Sequence, residues 1–275
     1  MKRQILTTFV ALFAGALAAQ TDTIFSNNEK IACSVKEITP DAVKFAYPNE
    51  ELINTVYKNT IQKIVFKSGR VQVFAEATSY KKVTCVEDFE NVTITEVESE
   101  VKGLYKIGDV SAKAKGTTTY SNQERVKERA YRKMKIVAAM MGANIVYLTD
   151  QRGQGNIQST QFQSGQTTET SLSGVSYSNV LPNMDSFMNR IGTKTKFTAV
   201  EENKLWSSSS DLTSQLIGGE LKLDSVTNEG GHIVLHGDLT GAGRFHEFRL
   251  AYFSSTHFYI YYEDKSTSYN IKLKY

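Results

Sequence analysis

The one long helix-type pattern in this chain lies between residues 121 and 142, and short β-type runs surround it. Five apolar residues recur there at steps of three and four and form a single stripe: Val126, Ala130, Met134, Val137 and Met141. Ser121 and Glu124 have the spacing of a capping box, and Gly142 is suited to end the helix. The pattern predicts an α+β chain that is mainly β, with one amphipathic helix.

The first module, residues 20–80, consists of short alternating runs separated by turn residues. The runs lie at 30–38, 42–47, 53–57, 61–66 and 70–74. Pro40-Asp41 and Ser68-Gly69 supply two of the turns. Five antiparallel strands of this length predict a small β-barrel-like module or a sandwich.

Two features of the N-terminal region indicate export. The stretches KIACSVKEITPDAVKFAY and IQKIVFKSGRVQVF resemble N-terminal modules that are common in exported proteins of one large group of Gram-negative gut and oral bacteria. Before them, Lys2 and Arg3 form a basic start, residues 5–17 are mostly apolar, and Ala19 ends a run of small residues. These features predict a signal peptide over residues 1–19 and a periplasmic or extracellular location.

Charge and hydropathy limit the partners of the mature chain. The chain has 32 basic and 29 acidic residues, and loss of Lys2 and Arg3 with the signal peptide leaves 30 against 29. Nucleic-acid binding requires a concentrated basic surface, so we predict no nucleic-acid partner. No segment after the signal peptide approaches the roughly 20 apolar residues of a membrane-spanning helix, so we also predict no transmembrane segment.

The central module, residues 81–180, is predicted to place the helix between two strands. LYKIGDVSAKA precedes the helix at 104–114, and ANIVYLTD follows it at 143–150. The simplest arrangement is a βαβ unit whose helix returns the chain to a neighbouring parallel strand. In residues 151–179, Gln, Ser, Thr and Gly fill 20 of 29 positions, which predicts a flexible loop or a long, weakly ordered hairpin.

The stretch RVKERAYRKMKIVAAMMGANIVYLTD resembles a family of small βαβ envelope domains that includes the YbjQ type and the sensor lipoprotein of the Rcs pathway. The resemblance implies a fold and an envelope setting. It does not carry over the sensor's disulfides or a metal site, because residues 86–231 contain neither Cys nor His.

The last module, residues 181–275, returns to β-type runs. They lie at 194–200, 220–226, 232–239, 244–252, 257–262 and 268–275. Alternation places Phe248, Leu250 and Tyr252 on one face, which predicts an antiparallel meander with an aromatic layer. Tyr259 and Tyr261 then point away from that layer, either as an exposed platform for a sugar or partner or against a second covered face.

All four histidines lie in this last module, at His232, His236, His246 and His257. In a strand, His232 and His236 stand about 13 Å apart, which is too far to share one ion. His246 and Glu247 could join His236 across strands, which makes these three side chains the candidate centre of a metal-dependent hydrolase. Surface or hydrogen-bonded histidines are the simpler interpretation, so no metal ligand, catalytic residue or cofactor is assigned.

The cysteine count permits one disulfide. Cys33 and Cys85 are the two cysteines of the chain, and an oxidising compartment would allow them to pair. The alternative is two separate buried thiols that pack as small apolar side chains.

Two tripeptides, DTI at 22–24 and DSV at 224–226, resemble the acid-hydroxyl-apolar acceptor sites for O-glycosylation in exported proteins of the same bacterial group. They make Thr23 and Ser225 candidate acceptors, and Thr23 is expected to be the more exposed because it lies beside the new N-terminus.

The leading hypothesis is a non-catalytic exported envelope protein that serves as an interaction or structural module. Its partner would be an envelope protein or a glycan. Two alternatives remain. One is the hydrolase centred on the C-terminal histidines. The other is a small-ligand carrier that uses the aromatic meander as a cup, which requires a closed apolar cavity.

Overall fold

The computed structural model describes residues 21–26, 29–74, 80–162 and 164–275, and the predicted signal peptide lies outside them. Of these described residues, strands hold 52% and helices 16%, which confirms a mainly β, α+β chain. The chain divides between residues 74 and 75 into two compact units.

The N-terminal unit is one six-stranded antiparallel sheet. Its strands are β1 (Asp22–Ser26), β2 (Glu29–Ile38), β3 (Ala42–Ala46), β4 (Asn54–Tyr57), β5 (Ile61–Val65) and β6 (Val71–Val73). They are arranged in the order β4-β3-β2-β1-β5-β6, so the sheet has edges at β4 and β6. The antiparallel runs were predicted. Strand β1 was not, because it directly follows the predicted signal peptide.

Apolar side chains of this sheet share one small core, formed by Ile24, Cys33, Val43, Phe45, Ile61 and Ile64. A buried carboxylate supports it: Asp22 accepts hydrogen bonds of 2.8 Å from the backbone N–H groups of Val35 and Lys67. Asp22 therefore ties the central strand β1 to β2 and to the chain that follows β5.

The second unit begins with a four-stranded sheet. Its strands are β7 (Thr93–Thr95), β8 (Tyr105–Lys115), β9 (Ile145–Gln154) and β10 (Glu169–Ser178), in the order β7-β9-β10-β8. Strands β8 and β9 flank helix α1 (Gln123–Met141) in sequence and are both antiparallel to β10, which lies between them. The prediction that β8 and β9 are neighbours was therefore wrong. The hairpin alternative for residues 151–179 is confirmed, since β9 and β10 pair along their length.

Helix α1 begins and ends close to the predicted residues. Asn122, rather than Ser121, is the N-cap: its side chain accepts a 3.0 Å hydrogen bond from the Arg125 N–H. Gly142 ends the helix in the left-handed conformation at φ +92°, as predicted. A Cβ atom there would lie 2.8 Å from the Ala251 carbonyl oxygen, so glycine also permits the close approach of the barrel described next.

Six consecutive strands form a closed antiparallel barrel, which confirms the C-terminal meander. They are β11 (Lys196–Trp206), β12 (Thr213–Glu229), β13 (His232–Leu239), β14 (Glu247–Phe253), β15 (His257–Asp264) and β16 (Thr267–Lys274). A short helix that was not predicted, α2 (Met184–Ile191), precedes them. Phe187 of α2 packs edge-on against Phe253 and Phe258, with ring centroids 5.6 and 5.5 Å apart.

The barrel interior is a packed core. Fully buried side chains fill it, among them Phe187, Phe197, Phe248, Phe258 and Ile260. The carrier hypothesis requires a closed apolar cavity at this place, and these side chains occupy it.

The outer wall of the barrel packs against the C-terminal half of α1. Met134, Ile136, Ala138, Ala139 and Met140 are fully buried, so α1 is covered on more than its predicted stripe. The wall contributes side chains to the same core as α1, including Tyr259 and Tyr261.

Tyr252 lies on this outer side, not with Phe248 and Leu250 as predicted. A β-bulge between Leu250 and Tyr252 reverses the alternation, because one extra residue moves the following side chain to the other face. The Tyr252 hydroxyl donates to the Ala139 carbonyl of α1. The bulge therefore turns a predicted interior residue into a contact between the barrel and the helix.

Candidate functional site

The outer face of strands β13, β14 and β15 carries charged, polar and aromatic side chains. Register places Val234 opposite Arg249, and Arg249 opposite Tyr261. The neighbouring residues Leu235 and Phe248 point into the core. Val234, Arg249 and Tyr261 therefore lie in one row on the outer side of the barrel wall.

An open cleft of about 510 Å³ lies over this row. Carboxylates, cations, one histidine and aromatic rings line it: Glu229, Val234, Arg244, Phe245, His246, Glu247, Arg249, Tyr261, Tyr262 and Glu263. We call it the barrel-wall cleft. Its volume lies within the range of about 300 to 1,000 Å³ that is usual for small-molecule sites.

Arg249 forms the floor of the barrel-wall cleft. Its guanidinium donates to the carbonyl oxygens of Ile107 (2.8 Å) and Met141 (3.3 Å), and its Cζ atom lies 5.1 Å from the centroid of the Tyr261 ring. The Met141 carbonyl is at the C-terminus of α1, where a cation is favoured. The Nε atom is buried without a hydrogen-bond partner. Burial lowers the pKa of Arg249, and the nearby Tyr261 and Glu263 oppose that shift.

Tyr261 and Glu263 form one wall. The Tyr261 hydroxyl and the Ser268 hydroxyl (3.3 Å) both donate to the Glu263 carboxylate. Burial, followed by the negative charge of Glu263, raises the pKa of Tyr261 well above its ordinary value. Tyr261 therefore remains a neutral hydrogen-bond donor at physiological pH.

Arg244 and Glu247 lie on the rim. Arg244 is 3.5 Å from the Asp264 carboxylate, and its Cζ atom lies 5.5 Å from the centroid of the Phe245 ring. The side chains of Arg244 and Glu247 are 76% and 74% exposed, so both can turn toward a ligand without any change in the strands.

Two histidine–carboxylate arrangements adjoin the cleft. His236 is opposite Glu247 in the register, with Nδ1 3.9 Å from its carboxylate, and its Nε2 lies 2.9 Å from the Thr227 hydroxyl and 3.5 Å from Glu229. The expected meeting of His236 and Glu247 across strands is present. His246 instead contacts Asp238, with 2.8 Å between Nδ1 and Oδ1.

In the described parts of the chain, no group of three or more His, Cys, Asp or Glu side chains is arranged to hold a metal ion. The other two histidines lie elsewhere. Burial, followed by the charge of Arg249, lowers the pKa of His232. The Nδ1 atom of His257 lies 2.9 Å from the Thr256 hydroxyl.

Tyr259 and Tyr261 do point away from the barrel core, as predicted, but they are 3% and 7% exposed. The idea that they form an exposed platform was wrong, because α1 and its neighbours cover this part of the wall. Tyr261 also lines the barrel-wall cleft, and the Arg249 guanidinium lies 5.1 Å from the centroid of its ring.

The remaining predicted residues lie in other places. Cys33 is buried and Cys85 is half-buried, and both are free thiols in the structure, so their pairing stays a prediction. Thr23 is half-buried in the inner strand β1, whereas Ser225 is exposed next to a bulge in β12. The expectation that Thr23 is the more exposed acceptor was therefore wrong.

Sequence reasoning did not identify Arg244, Arg249 or the cleft itself. Arg249 stands between apolar residues in the run EFRLAYF. A lone cation within such a run marks an outward position on a strand whose other face is buried. Its partners Ile107 and Met141 are more than 100 residues away, and only the fold brings them together.

No family model, curated protein or solved structure matches this chain. The resemblance to YbjQ-type and Rcs-sensor domains is therefore still a prediction. No helix within the described residues combines the length and apolar character needed to span a bilayer.

Proposed function

We propose that this protein is a non-catalytic, exported protein of a bacterial envelope that acts by binding a partner, either another envelope protein or a glycan. The observation that carries the proposal is the barrel-wall cleft. It combines carboxylates, guanidinium groups and apolar side chains. The Arg249 side chain at its floor is already held in place by hydrogen bonds.

The rigid floor favours recognition. Arg249 is fixed by two backbone carbonyls and one aromatic ring, and Glu263 by two hydroxyls. Side chains that are already ordered lose little conformational entropy when a ligand binds, which increases the affinity that a given set of contacts provides.

One observation favours hydrolysis as a second candidate. The 2.8 Å contact between His246 and Asp238 has the geometry of a catalytic base and the carboxylate that orients it. In that case the reacting group would lie in the cleft beside His246. Both side chains are more than 60% exposed, and a catalytic pair of this kind usually works where water is partly excluded.

Fractionation of native cells followed by a binding assay tests the proposal. We expect the protein in the periplasm or medium with residues 1–19 removed, and saturable binding of the labelled protein to a washed envelope fraction. Arg244→Ala should weaken this binding. Arg152→Ala is the matched control, because Arg152 is also an exposed arginine in an ion pair, 2.8 Å from Asp150, but lies outside the cleft.

A cytoplasmic location or an absence of saturable binding would overturn the proposal. So would turnover of ester, phosphoester or glycoside substrates that is lost in His246→Ala and Asp238→Asn, since that result would assign catalysis to the histidine–aspartate pair.

A further inference from the structure

We infer that the barrel-wall cleft binds a neutral saccharide, so that the partner is a glycan rather than a protein. The inference rests on the proposed function and names the chemical class of the ligand at the same site.

The first observation is the mixture of donors and acceptors at the rim. Glu229 and Glu247 supply carboxylate acceptors, and Arg244 supplies guanidinium donors. Each hydroxyl of a sugar both donates and accepts a hydrogen bond. A polyhydroxylated ligand can therefore use both kinds of group at once.

The second observation is the balance of charge. Three glutamates and two arginines line the cleft, so neither sign dominates strongly. An anionic ligand would meet the carboxylates of Glu229, Glu247 and Glu263. A cationic ligand would meet the guanidinium of Arg249, which donates to the carbonyl oxygens of Ile107 and Met141. A neutral ligand avoids both repulsions and still hydrogen-bonds to charged groups, which form the stronger bonds.

The third observation is the apolar surface between these polar groups. Val234 and Phe245, both half-buried, line the same cleft. A sugar ring has a face of C–H groups that loses contact with water when it packs on aromatic or aliphatic side chains. The barrel-wall cleft therefore offers a complementary surface for both the hydroxyl edge and the C–H face of a sugar.

Titration calorimetry on the purified chain tests the inference. The probes are four neutral hexasaccharides, those of α-1,4-glucose, β-1,4-glucose, β-1,4-N-acetylglucosamine and α-1,6-mannose, together with polysaccharide extracted from the native envelope. We expect at least one probe to bind. Arg244→Ala and Glu247→Ala should each weaken that binding about tenfold, because each removes a hydrogen bond to a charged group.

Two exposed ion pairs provide matched controls. Arg152→Ala controls for Arg244, and Asp109→Ala controls for Glu247, because Asp109 is 80% exposed and lies 3.1 Å from Lys106. Both controls should bind as tightly as the unchanged chain. Unchanged melting temperatures in all four variants would show that the effects arise at the cleft. Binding that is equal in all four variants, or no binding of any probe, would overturn the inference.

The envelope fraction separates this inference from the proposed function. If protease treatment of the fraction abolishes its saturable binding while the saccharide probes do not bind, the partner is a protein. The saccharide inference then fails and the proposed function stands. If the untreated fraction does not bind either, both fail.

Discussion

The N-terminal sheet and the C-terminal barrel each contain six antiparallel strands, but among the strands that the structure describes hydrogen bonding closes only the barrel. The N-terminal sheet ends at β4 and β6, and both of these short strands expose apolar side chains: Tyr57 on β4, and Val71 and Val73 on β6. Closure removes such edges, which are otherwise available for pairing with another strand. The same number of strands therefore gives two surfaces with different properties.

Their cores differ as well. Among the described residues, six buried side chains form the core of the N-terminal sheet, against seventeen in the barrel and its helix α2. A smaller apolar core leaves a larger share of the stability to polar contacts such as those of Asp22. We expect the barrel to be most sensitive to loss of apolar volume, and the sheet to loss of a buried hydrogen-bond acceptor.

The largest effect should follow from Phe258→Ala in the barrel. Phe258 is fully buried, and its ring lies 5.1 to 5.5 Å from those of Phe187, Phe197 and Tyr275. Removing it should lower the free energy of unfolding by about 3–5 kcal/mol. Trp206 is the only tryptophan and belongs to β11, so its fluorescence during denaturant unfolding reports on the barrel.

Phe162→Ala is the control for this change, because Phe162 is 97% exposed. It should leave the fluorescence transition unchanged. A loss below about 1 kcal/mol for Phe258→Ala would show that the barrel core tolerates a cavity. That result would contradict the expectation that the barrel is most sensitive to loss of apolar volume.

Asp22→Ala should have the second largest effect, in the N-terminal sheet. It leaves the N–H groups of Val35 and Lys67 without their acceptor, which should cost about 2 kcal/mol. Amide hydrogen exchange of β1, β2 and β5, followed by mass spectrometry, measures the loss. Asp22→Asn keeps one acceptor oxygen and should give an intermediate value. If exchange in the sheet is unchanged in both variants, the carboxylate does not support the sheet.

The barrel and the central four-stranded sheet differ in how far they could be predicted from the sequence. The strands of the barrel were predicted because their alternation is regular and turn residues separate them. Strand β10 was less evident because the side chains on its buried face are small or polar, such as Thr170, Gly174 and Ser176. Its position between β8 and β9 depends on pairing between distant segments, which local periodicity does not encode.

The candidate site was less predictable than the fold. The cross-strand neighbours His236 and Glu247 could be inferred from alternation and proximity in sequence. The bulge after Leu250 could not, since alternation does not show where a strand carries an extra residue. The burial of Tyr259 could not either, since the core that covers it includes a helix more than 100 residues earlier. Arg249 became recognisable only when this packing had placed its carbonyl partners.

High pH should produce the next effect, in the barrel. Burial raises the pKa of the barrel's Tyr275 to about 12. A tyrosine whose pKa is raised on folding stabilises the fold fully below its unfolded pKa of about 10, and this stabilisation is lost as the pH rises toward the folded pKa. Barrel stability should therefore fall between about pH 10 and pH 12.

Absorbance of the tyrosine phenolate at about 295 nm measures tyrosine ionisation. Tyr275 should ionise above pH 10 in the folded chain, as the barrel unfolds. Chain denatured in urea should give a single step near pH 10. A single step in the folded chain would mean that the barrel tyrosines are accessible to solvent.

Folding should also change the reactivity of the two cysteine thiols, and this effect should be smaller than those on stability. Burial raises the pKa of Cys33, in the N-terminal sheet, and of Cys85, in the second unit, to about 11. Since the thiolate is the reactive form, both should resist alkylation at pH 7.5 in the folded protein. In denaturant without reductant we expect both to be alkylated. If neither reacts there and both react after reduction, the predicted disulfide is present.

The smallest expected effect compares one hydroxyl from each six-stranded sheet. Ser225 is exposed beside the bulge between Leu223 and Ser225, whereas Thr23 is half-buried in β1 between β2 and β5. A transferase must reach the hydroxyl, so we propose Ser225 as the glycosylated residue. Intact mass of protein from native cells should show a glycan increment that Ser225→Ala removes and Thr23→Ala retains, with unchanged melting temperatures. Loss of the increment only in Thr23→Ala would mean that modification precedes folding of the N-terminal sheet, because folded β1 holds that side chain between its neighbours.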